Sequence, residues 1–268
     1  MKKKFKIGVI GAGYMSTSIM GSAIRSKALK KNQLLISDVN DSQLEKFAKL
    51  GVKTTKDNQY LANNCEFVFF AVKPQNLTDL LTDIKNCSCE KFISIMAGVK
   101  KSRIKEVFPN GLIARCMPNA PCAVGSGVVG VDWTDFTDNI DVDFIKSIFN
   151  CSSEVVAVNE DLLNAVTGIG GSAPAYYYLF AKGLIDAGIK HGLTEEQSKL
   201  IAVNTMLGSA KMLLNVTDKS IEELIDSVCS KGGTTIEAIK IFNEQGLSEL
   251  TDKAVDACVK RSFDLENV

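Results

Sequence analysis

Histidine is scarce in this sequence, and Cys-x-x-Cys pairs are missing from it. His191 is the single histidine, and the eight cysteines are scattered, with only Cys87 and Cys89 close together. A structural zinc site takes four Cys or His ligands at short spacings. The sequence therefore predicts no metal site, and it favours reduced thiols over a disulfide framework.

The sequence also lacks an excess of charge of either sign and lacks long apolar runs. Its 31 Lys and Arg residues equal its 31 Asp and Glu residues, so no positive field holds nucleic acid or an anionic membrane. The apolar run Phe67–Val72 is much shorter than the roughly 20 residues of a spanning helix. After Met1–Lys4, Lys6 and two glycines interrupt what would be the apolar part of a signal peptide. We expect a cytoplasmic protein with no nucleic-acid partner and no membrane.

The first residues have the pattern of a dinucleotide-binding turn. The β-branched run Ile7–Ile10 has the length of a buried parallel strand, and Gly11 and Gly13 follow it. In such a turn the glycines let the backbone approach a pyrophosphate, which lies at the N-terminus of the next helix. Ser16 takes the place of the third glycine, so this motif alone is not specific. The candidate cofactor residues here are Gly11, Ala12, Gly13, Tyr14 and Met15.

Further candidates follow other predicted strands. Buried strands are predicted at Gln33–Ser37, Phe67–Val72, Phe92–Met96 and Leu112–Cys116, and a short edge strand at Val52–Thr54. Ligands of open α/β sheets bind beyond the carboxyl ends of the strands, and several of these strands end in small-residue or tight loops. The candidate cofactor residues at these strand ends and in the loops after them are Ser37, Asp38, Ala71, Val72, Lys73, Pro74, Ala97 and Gly98.

Asp38 has two interpretations. A carboxylate at the end of the second strand accepts hydrogen bonds from an adenosine ribose and repels a 2′-phosphate. The same residue could instead cap the helix that carries Leu44 and Phe47. Lys73 likewise is either a cofactor contact or a solvated loop lysine.

The pattern changes from alternating strands and helices to helices alone near Asp161. This change predicts an α/β domain in residues 1–160 and an all-helical domain in residues 161–268. A long helix is predicted over Pro174–Ile189, and shorter ones over Ile236–Phe242 and Leu250–Val259.

Two capping boxes open further helices of the second half, at Thr194–Gln197 and Ser220–Glu223. The first of these helices runs to about Leu214 and is apolar on nearly every side. A domain of this size cannot cover such a helix alone, so we expect burial against a second subunit.

A possible second site lies at Ser230–Thr235, where two glycines lead into a helix. The unpaired N–H groups of the helix N-terminus and the nearby hydroxyls suit a carboxylate. The alternative is a plain connection between helices, closed by a threonine cap.

Five segments, in order along nearly the whole chain, resemble the pyrroline-5-carboxylate reductases, the enzymes of the last step of proline synthesis. They are Phe70–Gln75, Ser94–Val99, Met117–Pro121, Gly171–Ala175 and Val228–Thr235. The resemblance implies an N-terminal Rossmann-type dinucleotide-binding domain and an all-α C-terminal dimerisation domain that also builds the substrate pocket. It further implies a homodimer assembled into a decamer, with NADPH or NADH as cofactor and pyrroline-5-carboxylate as substrate.

The resemblance also implies roles for individual residues. Thr235 would hydrogen-bond the ring nitrogen of the substrate as the catalytic residue, and Asn58 would lie near the adenosine ribose. Family members often favour NADPH, whereas Asp38 argues against a 2′-phosphate. We expect NADPH rather than NADH because Ser37 and nearby lysines could reach a phosphate. The implied substrate-binding residues are Ser230, Gly232, Gly233, Thr234 and Thr235.

Two residues depart from the family pattern: Lys231 stands at a proline position and Ala173 at a glycine position. Two other functions therefore stay open. One is a related β-hydroxyacid-type dehydrogenase with Lys182 or Lys231 as its catalytic lysine. The other is a nucleotide-binding assembly protein with an impaired pocket.

Overall fold

The computed structural model describes residues 3–266. The chain divides into two compact units: one extends to Ser172 and resumes at Cys258, and the other spans Ala173–Ala257. In the first unit, the described residues form one sheet of eight strands in the order β3-β2-β1-β4-β5-β6-β7-β8. The strands are β1 (Phe5–Ile10), β2 (Leu34–Ser37), β3 (Lys53–Thr55), β4 (Cys65–Phe70), β5 (Lys91–Ser94), β6 (Leu112–Pro118), β7 (Gly127–Asp132) and β8 (Ser153–Ala157).

The strands β1 to β6 pair parallel, β7 runs antiparallel to β6, and β8 runs parallel to β7. The central strands β1 and β4 are apolar because helices cover both faces of the sheet. Phe67 and Phe69 of β4 lie in one buried cluster, whereas Val68 and Phe70 lie in another. The predicted strands are present and the edge position of β3 is confirmed, but β5 ends at Ser94, two residues before the predicted Met96.

The helices of the first unit connect the strands and position the loops at their carboxyl ends. Strand β4 ends at Phe70, two residues earlier than predicted. Ala71 still donates its N–H to Ile10 O at 2.9 Å, and both Ala71 and Val72 are half-buried. The apolar run Phe67–Val72 is therefore longer than the strand β4. The helices are α1 (Tyr14–Arg25), α2 (Asp41–Lys49), α3 (Asn58–Asn64), α4 (Leu77–Ile84), α5 (Lys101–Lys105), α6 (Asn139–Phe149) and α7 (Leu163–Val166).

The second unit is helical, and both predicted capping boxes are confirmed. Thr194 Oγ1 accepts a hydrogen bond from Gln197 N, and the Gln197 side chain accepts one from Thr194 N. Ser220 and Glu223 exchange the same pair of bonds. The helices are α8 (Ala173–Lys190), α9 (Glu195–Asn215), α10 (Ile221–Val228), α11 (Thr234–Glu244) and α12 (Leu247–Glu266). Large apolar side chains of α9 are exposed in the single chain, among them Leu200, Ile201, Leu207 and Leu214.

Helix α12 is longer than the predicted Leu250–Val259, and it ends in the first unit. Ser262 donates its hydroxyl to Asn164 Oδ1 at 2.5 Å, and the Glu266 carboxylate lies 2.8 Å from Arg115 Nη2. These contacts join residues distant in sequence, so local pattern does not reveal them.

All eight cysteines are free. Burial raises the pKa of the Cys65 thiol to about 12 and that of Cys89 to about 11, so both are neutral thiols at physiological pH. Within residues 3–266, no helix has the length and apolar character needed to cross a membrane.

Candidate functional site

The glycine turn after β1 fits between the ends of two neighbouring strands. Gly11 has φ +103°, donates its N–H to Ser37 O at 2.8 Å, and lies so close to Ala71 that a Cβ would be 2.6 Å from Ala71 O. Only glycine suits both the positive φ and this approach. Ser16, at the third glycine position, is buried and donates its hydroxyl to Gly11 O at 2.6 Å, which holds the turn against α1.

The N-terminus of α1 is open towards an anion. Gly13 is its N-cap, no side chain caps the helix, and its first turn carries no acidic residue. A Cβ built on Gly13 would meet no protein atom within 4 Å. Free N–H groups at a helix N-terminus beside open space are the arrangement that binds a pyrophosphate. These residues therefore fit a dinucleotide.

Asp38 links the glycine turn to the loop after β2. Its Oδ2 accepts a hydrogen bond from Ala12 N at 2.6 Å, and its Oδ1 accepts one from Asn40 N at 2.8 Å. Asn40, not Asp38, caps α2, since its side chain accepts the hydrogen bond from Ser42 N. The interpretation of Asp38 as a helix cap is therefore wrong.

Ser37 and Asn58 meet at the carboxyl end of β2. Ser37 Oγ, which is buried, donates a hydrogen bond to Asn58 Oδ1 at 2.7 Å. The Asn58 amide donates to Asp83 Oδ2 at 3.2 Å. Asn58 starts α3, and no pattern in the residues singles it out, so only the family resemblance pointed to it.

The loops after β4 and β5 lie at the same edge of the sheet. Lys73 and Pro74 are exposed, and Pro74 opens a short 3-10 turn. Ala97 is exposed, whereas Gly98 is buried with φ +70°. A Cβ on Gly98 would lie 2.9 Å from Leu265 Cβ. Close packing of α12 is thus one reason for glycine at this position.

Asn119 is a residue of this edge that the sequence did not single out by itself. Its amide donates to Gly170 O at 3.1 Å, and its oxygen accepts from Val128 N at 2.9 Å. Gly170 belongs to a π-helical turn, Thr167–Gly171. Asn119 thereby joins one family-like segment, Met117–Pro121, to the turn just before another, Gly171–Ala175. Turns with π-helical geometry often occur at functional sites. In the sequence, the only indication of a role for Asn119 is that it lies in the family-like segment Met117–Pro121.

The second site is a tight turn followed by an uncapped helix. Gly233 donates its N–H to Ser230 O at 2.9 Å, and Gly232 has φ +72°. A positive φ at the third of four residues is typical of a type II turn, with Lys231 in the second position. Gly233 is the N-cap of α11 and no side chain caps the helix, so the threonine-cap interpretation is wrong.

The hydroxyls and N–H groups of this turn are accessible in the single chain. Ser230, Thr234 and Thr235 are exposed, and Gly233 is half-buried. The N–H groups at the start of α11 suit an anionic group, as those of α1 do. No group of three or more His, Cys, Asp or Glu side chains that could hold a metal occurs in the described part of the chain, residues 3–266.

Both the N-terminal and the C-terminal part of the chain match known protein families. A family model described as pyrroline-5-carboxylate reductase dimerisation matches residues 160–265. One described as NADP oxidoreductase, coenzyme F420-dependent, matches residues 6–98. A pyrroline-5-carboxylate reductase from Synechocystis sp. is 33% identical, over 97% of this chain and 98% of its own length. The chain belongs to the pyrroline-5-carboxylate reductase family.

Other family members support this membership. The enzyme from Staphylococcus aureus is 34% identical, over 98% of each chain. The structure of the Coxiella burnetii reductase is 32% identical and superposes with a TM-score of 0.88, covering 98% of this chain and 99% of that one. A Plasmodium falciparum pyrroline carboxylate reductase structure with NADP bound has a TM-score of 0.87 at 27% identity, covering 99% of this chain and all of that one. The predicted fold class, a Rossmann-type domain followed by a helical dimerisation domain, is confirmed.

Proposed function

We propose that this protein reduces 1-pyrroline-5-carboxylate to proline, using NADPH or NADH as the hydride donor. The observation that carries the proposal is that one family member has two glycine turns, each leading into a helix N-terminus that no side chain caps. One is the glycine turn with the open N-terminus of α1, and the other is the Ser230–Gly233 turn with the open N-terminus of α11. The first suits a pyrophosphate and the second a carboxylate.

The chemistry asks for positioning more than for acid–base groups. When bound, the reduced nicotinamide would supply a hydride to the C5 carbon of the cyclic imine, and a proton taken up by the ring nitrogen would complete the reduction of the C=N bond. We assign the pyrophosphate to the turn Gly11–Met15 and the adenosine ribose to Ser37, Asp38 and Asn58. The loops Ala71–Pro74 and Ala97–Gly98 complete the cofactor site.

The substrate carboxylate is assigned to the second turn. Ser230, Gly232, Gly233 and Thr234 bind it, and the Thr235 hydroxyl hydrogen-bonds the ring nitrogen. A hydroxyl can both donate and accept a hydrogen bond, so Thr235 can orient the ring nitrogen whether or not that nitrogen carries a proton. Orientation of this kind lowers the barrier to hydride transfer.

We propose a homodimer formed through the helical part of the chain and assembled further into a decamer. The exposed apolar side chains of α9 and the dimerisation family model support the dimer. The functional division into residues 1–160 and 161–268 and the cytoplasmic location remain predictions, as does the ring size.

The alternative functions have less support. A β-hydroxyacid-type dehydrogenase needs a catalytic lysine. Lys182 is exposed and paired with Asp186 on the same helix, and Lys231 is an exposed residue of the turn before α11. An assembly protein with an impaired pocket is disfavoured because the turn at Ser230–Gly233 closes with its hydrogen bond despite Lys231.

The decisive experiment measures loss of reduced-nicotinamide absorbance when pyrroline-5-carboxylate is added to the purified protein. NADPH and NADH are compared, and β-hydroxy acids with the oxidised cofactors serve as the control reaction. We expect turnover of the imine only. Folded oligomeric protein that binds cofactor without turning over the imine would favour the assembly protein, and oxidation of hydroxy acids would favour the dehydrogenase.

A further inference from the structure

We infer that Asp38 makes this enzyme select NADH over NADPH. The inference rests on the proposed function, because it assigns the cofactor class of the same site. Asp38 directly follows β2 in the parallel part of the sheet, next to the glycine turn. This is the position from which a carboxylate binds the ribose 2′-hydroxyl of NAD, whereas NADP-binding proteins place an arginine nearby.

The Asp38 carboxylate is held in place from two sides. Ala12 N, within the glycine turn, donates to Oδ2 at 2.6 Å, and Asn40 N, within the following loop, donates to Oδ1 at 2.8 Å. The side chain cannot rotate away from a ligand without breaking both bonds. A carboxylate has about four acceptor sites, so two remain for the hydroxyls of a ribose.

Two neighbouring groups that could contact a 2′-phosphate, Lys56 and Ser37, already have partners. The Lys56 ammonium lies 2.8 Å from the Asp41 carboxylate. Ser37 Oγ is buried and donates to Asn58, whose amide in turn donates to Asp83. Residues 38–45 contain neither lysine nor arginine. The expectation of NADPH rested on Ser37 and nearby lysines; Ser37 is bonded to Asn58, and Lys56 would have to leave Asp41 to reach a phosphate.

Charge then decides between the two cofactors. A phosphate monoester carries a charge of about −1.5 to −2 at neutral pH, and repulsion by a fixed carboxylate is stronger in a half-buried site than in water. The ribose 2′-hydroxyl of NADH instead donates a hydrogen bond to the Asp38 carboxylate. We expect at least about a tenfold difference in affinity, which corresponds to ~1.4 kcal/mol.

The test compares two probes that lack nicotinamide, ADP-ribose and 2′-phospho-ADP-ribose, by isothermal titration calorimetry on the full protein. The wild type is expected to bind ADP-ribose at least about tenfold more tightly. Asp38→Asn and Asp38→Ser are expected to reduce this ratio towards one or below it. Glu45→Gln is the matched control, because it removes one negative charge from the exposed side of α2 and should leave the ratio unchanged.

The ratio of the two probe affinities is compared within each variant. If a substitution loosens the glycine turn and weakens the binding of both probes equally, this ratio does not change. Tighter binding of 2′-phospho-ADP-ribose by the wild type would overturn the inference, and so would an unchanged ratio in both Asp38 variants. Failure of the proposed function gives a different result from failure of this inference. In that case the wild type would bind ADP-ribose more tightly but would reduce pyrroline-5-carboxylate with neither cofactor.

Discussion

Arg115 Nη2 of β6 lies 2.8 Å from Glu266 Oε1 at the end of α12, and both side chains are almost completely buried. Glu160 lies 3.1 Å from the same guanidinium, and Lys100 lies 3.2 Å from the second Glu266 oxygen. Buried charges of this kind are satisfied only as a group, because removal of one partner leaves the other uncompensated.

Glu266→Gln should therefore destabilise the protein by about 3 kcal/mol, the lower end of the cost of breaking a buried ion pair, since Glu160 still contacts Arg115. Chemical denaturation at a fixed protein concentration measures this free energy. Glu106→Gln, which breaks an exposed pair with Arg103, is the control and should change stability by no more than about 0.5–1 kcal/mol. Equal effects of the two variants would show that burial of the pair is unimportant.

The Arg115–Glu266 pair should also make the free energy of unfolding depend on pH in the acid range. Burial by itself raises the pKa of Glu266, but the hydrogen bond and charge of Arg115, with Lys100, outweigh it and hold the pKa below its usual 4.5. A carboxyl with a lowered folded-state pKa stabilises the fold above the unfolded-state value, and this stability is lost as pH falls through the folded-state pKa. The difference between wild type and Glu266→Gln should thus be constant near neutral pH and shrink below about pH 4.5 in denaturation curves.

Gly13→Ala should abolish most cofactor binding while the protein stays folded. The backbone of Gly13 has φ −71° and its added Cβ would meet no protein atom, so the methyl group would occupy only the space assigned to the pyrophosphate. We expect cofactor affinity to fall at least about tenfold, the effect of ~1.4 kcal/mol, in a calorimetric titration. The melting temperature should change little.

Two further glycines are controls for this prediction. Gly21→Ala lies on the same helix and should preserve binding, since its Cβ meets only the end of the Arg25 side chain at 3.2 Å. Gly11→Ala should destabilise the fold itself, because of its positive φ and the contact with Ala71. Normal affinity in Gly13→Ala would place the pyrophosphate elsewhere.

Thr235→Ala should lower kcat for imine reduction by roughly tenfold to a thousandfold, the scale for losing one well-placed hydrogen-bonding group in a transition state. Thr235 is exposed at the start of α11, so the folded state should persist. Steady-state kinetics and circular dichroism together check this outcome. Thr217→Ala, in an exposed loop, is the control, and an unchanged kcat in folded Thr235→Ala would remove Thr235 from the mechanism.

Lys231→Pro should stabilise the turn before α11. The second position of a type II turn favours proline, which has the required φ in advance, and Lys231 occupies that position. A gain of about 0.4–1 kcal/mol is expected in chemical denaturation from the smaller entropy of the unfolded chain. Lys231→Ala removes the same charge without fixing φ, so a gain in both variants would point to charge instead.

Local features of the fold were predictable from the sequence, because their causes lie within a few residues. The capping boxes at Thr194 and Ser220 each need only a hydroxyl and a side chain three residues later. The strand before Gly11 and the turn after it likewise follow from β-branched residues and glycine spacing.

Features that depend on distant partners were not predictable. Nothing near Leu250–Val259 indicates that the helix continues to Glu266, since the contacts of its last turns are with Asn164, Gly98 and Arg115. The hydrogen bond from Ala12 N to Asp38 is similarly invisible until β1 and β2 are side by side, whereas the bond from Asn40 N is local.

The course of α12 has a consequence for the architecture of the chain. Because Cys258–Glu266 returns to the unit that begins the protein, the second unit is topologically an insertion rather than an appended domain. Cutting the chain after Ser172 would leave Arg115 without Glu266 and would uncover the backbone around Gly98. The unit that carries the glycine turn is thus discontinuous in sequence, and its last piece is synthesised only after the helices of the other unit.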